Sequence, residues 1–411
     1  MFICRGESLR FKELAFIAVL LLLTALGFLA AYQMHFHPLI PTEPYESALG
    51  HPWRLLVVLY VFLVLIGTAL IASAGEILGI KEIEQIVKEA IIIAIVTIAV
   101  GLITIGIDLE RIERANYALI GYANPSSVMY WMIMFYVLEL FFLFLEGWFY
   151  FRSDLLRESE KSGFRALFAK IVSLKFIGGF FARVNREIDI RFARSIGLLA
   201  VITAILAYSN LGALFSANHI PMWHDASNPI YFVLTAIVAG SAMLILSIIV
   251  TSWIKGNLEK IESLFLLRKI LLSSLLVTSL FLLWRTVIIG YPAIDQKASY
   301  SIQNLLFGKF AINFWFLEIF VGIIAPILAL LAGKKNTDAL FVASFLSLLG
   351  IFASRFNFIY AGQTVVQISG VSITTVIHPL EAMFAVGAIS LALLLYYILY
   401  KLLPMEVEHA P

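Results

Sequence analysis

Ten long apolar runs dominate this chain of 411 residues and decide what it can fold into. A helix needs about 20 mostly apolar residues to cross the hydrocarbon core of a bilayer. Runs of that kind lie near residues 11–34, 54–78, 87–107, 127–151, 194–216, 228–253, 264–290, 309–333, 338–356 and 380–403. They are long and continuous rather than short and alternating, which excludes a transmembrane β-barrel. Composition points the same way. Apolar residues make up 61% and charged residues 14% of the chain, against about 45–50% and about 25% in a soluble protein. The expected fold is an all-α integral membrane protein with ten transmembrane helices. The first run is read as a retained helix. Arg5, Arg10 and Lys12 suit a signal peptide, but the run is too long for one and ends without a small-x-small site.

The scarce charges give direction. The 29 basic and 27 acidic residues nearly cancel, too balanced for a nucleic-acid binder, so the bilayer is the expected medium and nucleic acid is not a partner. Lys and Arg concentrate on the cytoplasmic side of membrane proteins. Here 22 of the 29 fall on the side that holds both termini, which predicts both termini in the cytoplasm; the expected location is the plasma membrane of a prokaryote. Residues 152–194 form the one long connection on that side and carry ten of these charges. Within it, residues 163–174 fit an amphipathic helix on the anionic inner leaflet, read either as a docking surface for a cytoplasmic partner or as a positive-inside anchor.

The other side collects different chemistry. Six of the seven histidines (His35, His37, His51, His219, His224 and His378) fall on or near the outer face, together with Asp108, Asn124, Asn210, Arg285 and Arg355. Part of this is the ordinary polarity of loops; the rest points to a site there. No histidine lies in the middle of a run, which argues against a haem held deep between facing helices. The single cysteine, Cys4, excludes an iron–sulfur cluster or a Cys-type zinc site held by this chain alone. No haem or metal of its own is therefore expected.

Carboxylates inside a span are costly and are functional candidates by default. Glu139 and Glu146 sit seven apart in the fourth run, on one helix face. Glu76 lies near the inner end of the second run and Glu318 in the outer part of the eighth. They read either as a proton path, with Glu139, Glu146 and Glu76 as its steps, or as ion-paired groups held by helix-end arginines such as Arg152. The second and sixth runs share a small-residue stretch, Gly67-Thr68-Ala69 and Gly240-Ser241-Ala242, which lets helices approach closely. Runs two to five and six to nine cross in the same order of directions. Two four-helix bundles are expected, flanked by helices one and ten, with segments 1–53, 54–217, 218–356 and 357–411. Ten spans and Pro326 also suit a transporter or channel, although few polar residues face a midplane cavity, where transport sites lie.

Several motifs resemble a known family. They are Gly79-Ile80-Lys81-Glu82, Gly106-Ile107-Asp108-Leu109-Glu110-Arg111, and Asn124-Pro125-Ser126-Ser127-Val128-Met129-Tyr130-Trp131, then Trp223-His224, Arg355-Phe356-Asn357 through Gly362-Gln363, and His378-Pro379-Leu380-Glu381. Their order and spacing from about residue 50 to 404 resemble the membrane subunits of the polysulfide reductase (NrfD) family. The ten-helix form is similar to the membrane subunits of periplasmic hydrogenases, of alternative complex III and of the transmembrane complex of dissimilatory sulfite reduction. The resemblance implies menaquinone or a related quinone bound in the first bundle near the outer face. It also implies an extracytoplasmic iron–sulfur, ferredoxin-like partner, with other membrane cytochrome subunits in some complexes. In such a pocket Asp108 reads either as the acid or base or as a loop cap paired with Arg111. His51, Trp53, Tyr130, Tyr208 and Asn210 are the expected quinone contacts, and Arg111, His224 and Arg355 the expected docking residues. Glu110 and Ile112 stand where the family has Gly and Pro, and Met132 stands where it often has an acidic residue or glycine. No proton acceptor carries over to Met132.

Overall fold

The structure, a computed structural model, describes residues 3–36, 54–109, 117, 124–218, 220–256, 260–333, 336–363 and 377–405. With no water in the hydrocarbon layer, each backbone N–H and C=O must find a partner inside the protein, and an apolar run therefore closes on itself as a helix. All ten runs do so, as Glu13–His35, Arg54–Ile77, Val87–Asp108, Val128–Glu158, Arg186–Ser216, Asn228–Lys255, Ile261–Gly290, Asn313–Ala332, Thr337–Gly362 and Pro379–Leu402, spans 1 to 10 below. Among the described residues there is no strand.

Spans 2, 3, 4 and 5 pack in sequence, and span 5 returns to span 2. Spans 6, 7, 8 and 9 repeat the arrangement, with span 9 returning to span 6. Spans 1 and 10 pair with one another, and span 10 leans on spans 2 and 3. The two rings meet where span 2 touches spans 6 and 9 and where span 5 touches span 6. The end holding the starts of spans 3, 5, 7 and 9 is termed the basic end, and its counterpart the opposite end.

The shared small-residue stretches form the joint between the rings. A Cβ on Gly240 would lie 2.5 Å from the carbonyl carbon of Gly67, and one on Gly67 would lie 2.9 Å from the Ala236 carbonyl oxygen. Span 2 is broken here: it is helical over Arg54–Val64 and again over Thr68–Ile77. The break frees the Gly67 N–H, which a neighbouring helix takes up, and the Thr68 side chain adds a second tie. The Gly67 N–H donates to the Ala236 carbonyl at 3.2 Å, and the Thr68 hydroxyl donates to the Ala90 carbonyl at 2.8 Å.

Other boundaries differ from the sequence expectation for identifiable reasons. Span 5 starts at Arg186 rather than near 194, because Asn185 caps it by accepting from the Ile188 N–H at 3.2 Å. Span 9 continues to Gly362 rather than ending near 356. Its polar residue Asn357 is buried among hydrogen-bond partners, so a polar side chain marks no loop there. Span 8 is a π-helix over Asn313–Ile324 that becomes an α-helix at Ala325–Ala332, with Pro326 in the first turn of the α part. A further amphipathic helix, Gln296–Phe307, joins spans 7 and 8. The expected amphipathic helix is present as Phe164–Val172. It buries Ala166 and Ala169 and exposes Phe164, Leu167 and Ile171. The Trp148 indole donates to the Val172 carbonyl at 2.8 Å and ties the helix to span 4.

Candidate functional site: buried carboxyls in two helix bundles

In the first bundle, Glu139 on span 4 and Tyr208 on span 5 are both fully buried, and the Tyr208 hydroxyl donates to Glu139 Oε1 at 2.8 Å. Tyr136 lies one turn before Glu139 on the same face and is also fully buried. The Tyr60 ring of span 2 meets it edge-on at 6.5 Å, and the Tyr60 hydroxyl lies 3.4 Å from Met132 Sδ. Met132 thus packs in this cluster as an apolar wall. Glu139 Oε2 and the Tyr136 hydroxyl have no hydrogen-bond partner. Leaving such groups dry costs about 1–3 kcal/mol each, which makes this cluster a place able to accept a hydrogen-bonding guest.

A series of carboxyls leads from there to the basic end. Glu146 follows Glu139 by two turns, about 10 Å along the axis. Its Oε1 accepts from the Ser73 hydroxyl at 2.7 Å. Span 5 leaves room for it with Gly197, whose Cβ would lie 2.7 Å from that oxygen. Glu76 accepts from Arg194 at 3.3 Å, and Arg194 reaches Glu84 at 2.7 Å. Arg152 does not hold any of these carboxyls. It pairs with Asp189 at 2.9 Å and donates to the Arg183 carbonyl at 3.0 Å.

At the opposite end, Asp108 closes span 3 and Arg54 opens span 2. Both bear electrostatically on Glu381 of span 10. Glu381 accepts from the Leu55 and His378 backbone N–H groups, each at 2.9 Å, so one carboxylate caps the starts of two spans. Tyr130 and Asn210 are half-buried, and Asn210 Oδ1 has no hydrogen-bond partner. The exposed Trp131 stacks on Phe135 at 5.7 Å. His51, Trp53 and Arg111 lie outside the described residues. Among the expected quinone contacts, Tyr208 sits deep beside Glu139, while Asp108 stands at the helix end.

His224 is exposed, as a docking residue would be. Arg355 is not: it is fully buried on span 9 and cannot meet a partner at the surface. Its guanidinium lies over the Phe232 ring at 4.5 Å and donates to the Thr235 hydroxyl. The expectation that puts it outside rests on ending span 9 near residue 356, one turn and a half too early.

The second bundle carries a polar cluster that the sequence does not assemble by itself. Glu318 is buried on span 8 and accepts from the Asn357 side-chain amide at 2.6 Å. Asn313 donates to the Asn357 oxygen at 2.6 Å. On span 7, Arg285 pairs with Asp225 at 3.0 Å and lies over the Phe358 ring at 4.8 Å. Arg285, Glu318, Ser354 and Asn357 line one cavity, walled by Phe314, Phe358 and Met222. The Trp223 motif is structural: its indole donates to the Phe358 carbonyl at 2.7 Å. Gly362 clears its path, since a Cβ there would lie 2.1 Å from the indole nitrogen. The missed partners had a faint signal, namely amides and arginines inside apolar runs. Among the described residues, no three His, Cys, Asp or Glu side chains are grouped to hold a metal ion.

Comparison with known proteins places this architecture. The family model described as "Polysulphide reductase, NrfD" matches residues 43–367. The C subunit of the selenate reductase of Mesobacillus selenatarsenatis is 24% identical over 369 residues, covering 86% of each chain. The Hdr-like menaquinol oxidoreductase integral membrane subunit of Archaeoglobus fulgidus is 26% identical over 370 residues, covering 87% of this chain and 81% of its own. A protein NrfD homolog of Haemophilus influenzae is 23% identical over 326 residues, covering 76% of this chain and 95% of its own. With ten spans in two four-helix rings and a family match over most of its length, this multi-pass membrane protein belongs to the NrfD family of polysulphide reductase membrane subunits.

Proposed function

We propose that this chain is the quinone-reactive membrane subunit of a respiratory oxidoreductase. In this reading it exchanges electrons between menaquinone, or a related quinone, and an extracytoplasmic iron–sulfur subunit of the ferredoxin type. The single observation that carries it is the buried Tyr136–Glu139–Tyr208 cluster, with an unpartnered hydroxyl and an unpartnered carboxyl oxygen inside the bundle. The names of the relatives, a menaquinol oxidoreductase subunit and a selenate reductase subunit, and the description of the family as polysulphide reductase support a menaquinol-linked complex acting on a sulfur or selenium compound.

A bound quinone supplies two-electron, two-proton chemistry, and the chain supplies contacts and proton handling. Tyr136 has a hydroxyl to donate to a carbonyl oxygen. Glu139 has a free oxygen to take or return a proton, and Tyr208 fixes its orientation. Glu146 and Glu76 are the further steps of a proton path to the basic end. Nearer the opposite end, Asp108 is the second acid or base, Asn210 and His51 add hydrogen bonds, and Tyr130 and Trp53 flank the ring. Arg111 and His224 are assigned the docking of the partner on the extracytoplasmic side. The chain's redox partner brings the electrons.

The broken span 2 and the π-helical span 8 favour a transporter on first inspection. The Gly67 N–H freed at the span 2 break, however, is taken up by span 6 rather than aimed into a cavity. The test of the redox reading is Asp108→Asn in the complex purified from native membranes through a tag on this subunit. Quinol turnover is expected to fall and its pH profile to shift. Unchanged turnover across pH removes Asp108 from the mechanism.

A further inference from the structure

The second bundle contains a polar site that quinone chemistry in the first bundle does not use. Three independent features converge on it. The first is a small cavity of about 20 Å³ between spans 7, 8 and 9, lined by Arg285, Glu318, Ser354 and Asn357. That is room for about one water molecule, and too little for an organic ligand. The second is an orphan donor. Arg285 is only 8% exposed, its Nε is satisfied by Asp225, and its Nη2 is buried with no hydrogen-bond partner. A charged donor left dry in a membrane interior is costly, and a water that accepts from Nη2 removes that cost. The third is the π-helix Asn313–Ile324, which carries Glu318. π-helical turns are rare and concentrate at functional sites. In this one, the Asn313–Asn357–Glu318 hydrogen bonds fix the carboxyl at the cavity wall.

We propose that this cavity is a hydrated proton-exchange site, in which water bridges Arg285 Nη2 to Glu318 and connects that carboxyl to Asp225 at the end opposite the basic one. The exchange balances simply: Glu318 gives a proton to the water as the water gives one to the Asp225 carboxylate, and the reverse step restores both. The charged and titratable groups that bear on Glu318 are Arg285 from span 7, Arg355 from span 9 and Tyr231 from span 6. Apart from Glu262 and Asp338 in the first turns of spans 7 and 9, at the basic end, spans 6 to 9 carry no other acidic residue. The site therefore serves one face of the membrane and does not conduct protons across it. By the distribution of Lys and Arg that face is the outer one.

Radiolytic hydroxyl labelling of the intact chain in lipid nanodiscs reads internal water without requiring quinone turnover. Met222, Phe314 and Phe358 line the cavity, whereas Met34 and Phe384 are equally buried in a purely apolar core. The cavity residues are expected to be oxidised several-fold faster than the core pair, and Arg285→Met is expected to abolish the excess. Equal labelling of the two sets overturns the proposal. Infrared difference spectra on a step of external pH supply the second readout. The Glu318 carboxyl bands, identified by their loss in Glu318→Gln, are expected to respond in the native chain and several-fold more slowly in Asp225→Asn. Bands that do not respond, or that respond equally in both proteins, overturn it even if the arginine variant misfolds.

Discussion

The two bundles share a topology and differ in where they keep their carboxyls. Each holds one on its third helix, hydrogen-bonded to its fourth: Glu139 to Tyr208 in spans 4 and 5, and Glu318 to Asn357 in spans 8 and 9. Below Glu139 the first bundle adds Glu146 and Glu76, a stepped series reaching Arg194 and Glu84 at the basic end. Below Glu318 the buried polar side chains among the described residues of the second bundle are hydroxyls such as Ser274, Thr278, Ser344 and Ser347, and its remaining carboxyls, Glu262 and Asp338, stand at the basic end. A ring of four helices thus fixes a place for one buried carboxyl, and the residues beneath it decide whether protons have steps to the far side. Among the described residues, buried carboxyls continue below that place in the first bundle and not in the second.

The largest expected effect comes from breaking the joint that holds the two rings in register. Gly240→Val puts a branched side chain where the Gly67 backbone already lies. Overpacking of this kind costs about 1–3 kcal/mol or more. We expect a lowered melting temperature in detergent and unfolding in two separate transitions, against a single transition in the native chain. Next is Glu139→Gln, which keeps the Tyr208 hydrogen bond in shape but removes the acid. General acid–base groups contribute about 10²–10⁴-fold, so quinol turnover of the complex is expected to fall by about 100-fold or more with the melting temperature unchanged. Tyr208→Phe should cost less, about tenfold, because it releases the carboxyl's orientation and leaves the acid present. The smallest effect is expected from Arg194→Gln. That arginine is half-exposed, and pairs of that kind are worth about 0–1 kcal/mol. Stability should barely change, while a slowed turnover would place Arg194 on the proton path.

How much of this is legible in the sequence depends on whether a feature is local. The number of spans follows from apolar length alone, since hydrocarbon thickness sets it. The break in span 2 is hidden because 61–66 are continuously apolar. It exists because the Ala236 carbonyl of another helix receives the Gly67 N–H. The end of span 9 is hidden for the opposite reason: Asn357 looks like a loop residue and is a buried helical one, and Gln363, which follows the last helical residue, is buried too. The same resemblance to a loop puts Arg355 at the surface when only the sequence is read. Within the candidate site, Glu139 is readable as an expensive intramembrane charge. Tyr136 and Tyr60 are not, because a tyrosine in an apolar run looks like packing until the rings around it are seen. Glu381 is readable only as part of a motif, since its role lies in capping Leu55, more than 300 residues away.

The central claim is that quinone chemistry belongs to the first bundle beside Glu139 and Tyr208. Photo-crosslinking the intact complex with an azido-menaquinone analogue, followed by peptide mapping, tests it most directly. The account predicts adducts on the spans 4 and 5 peptides that carry Met132, Tyr136 and Tyr208, displaced by excess menaquinone. Adducts confined to spans 6 to 9, or labelling that excess menaquinone does not displace, would contradict it.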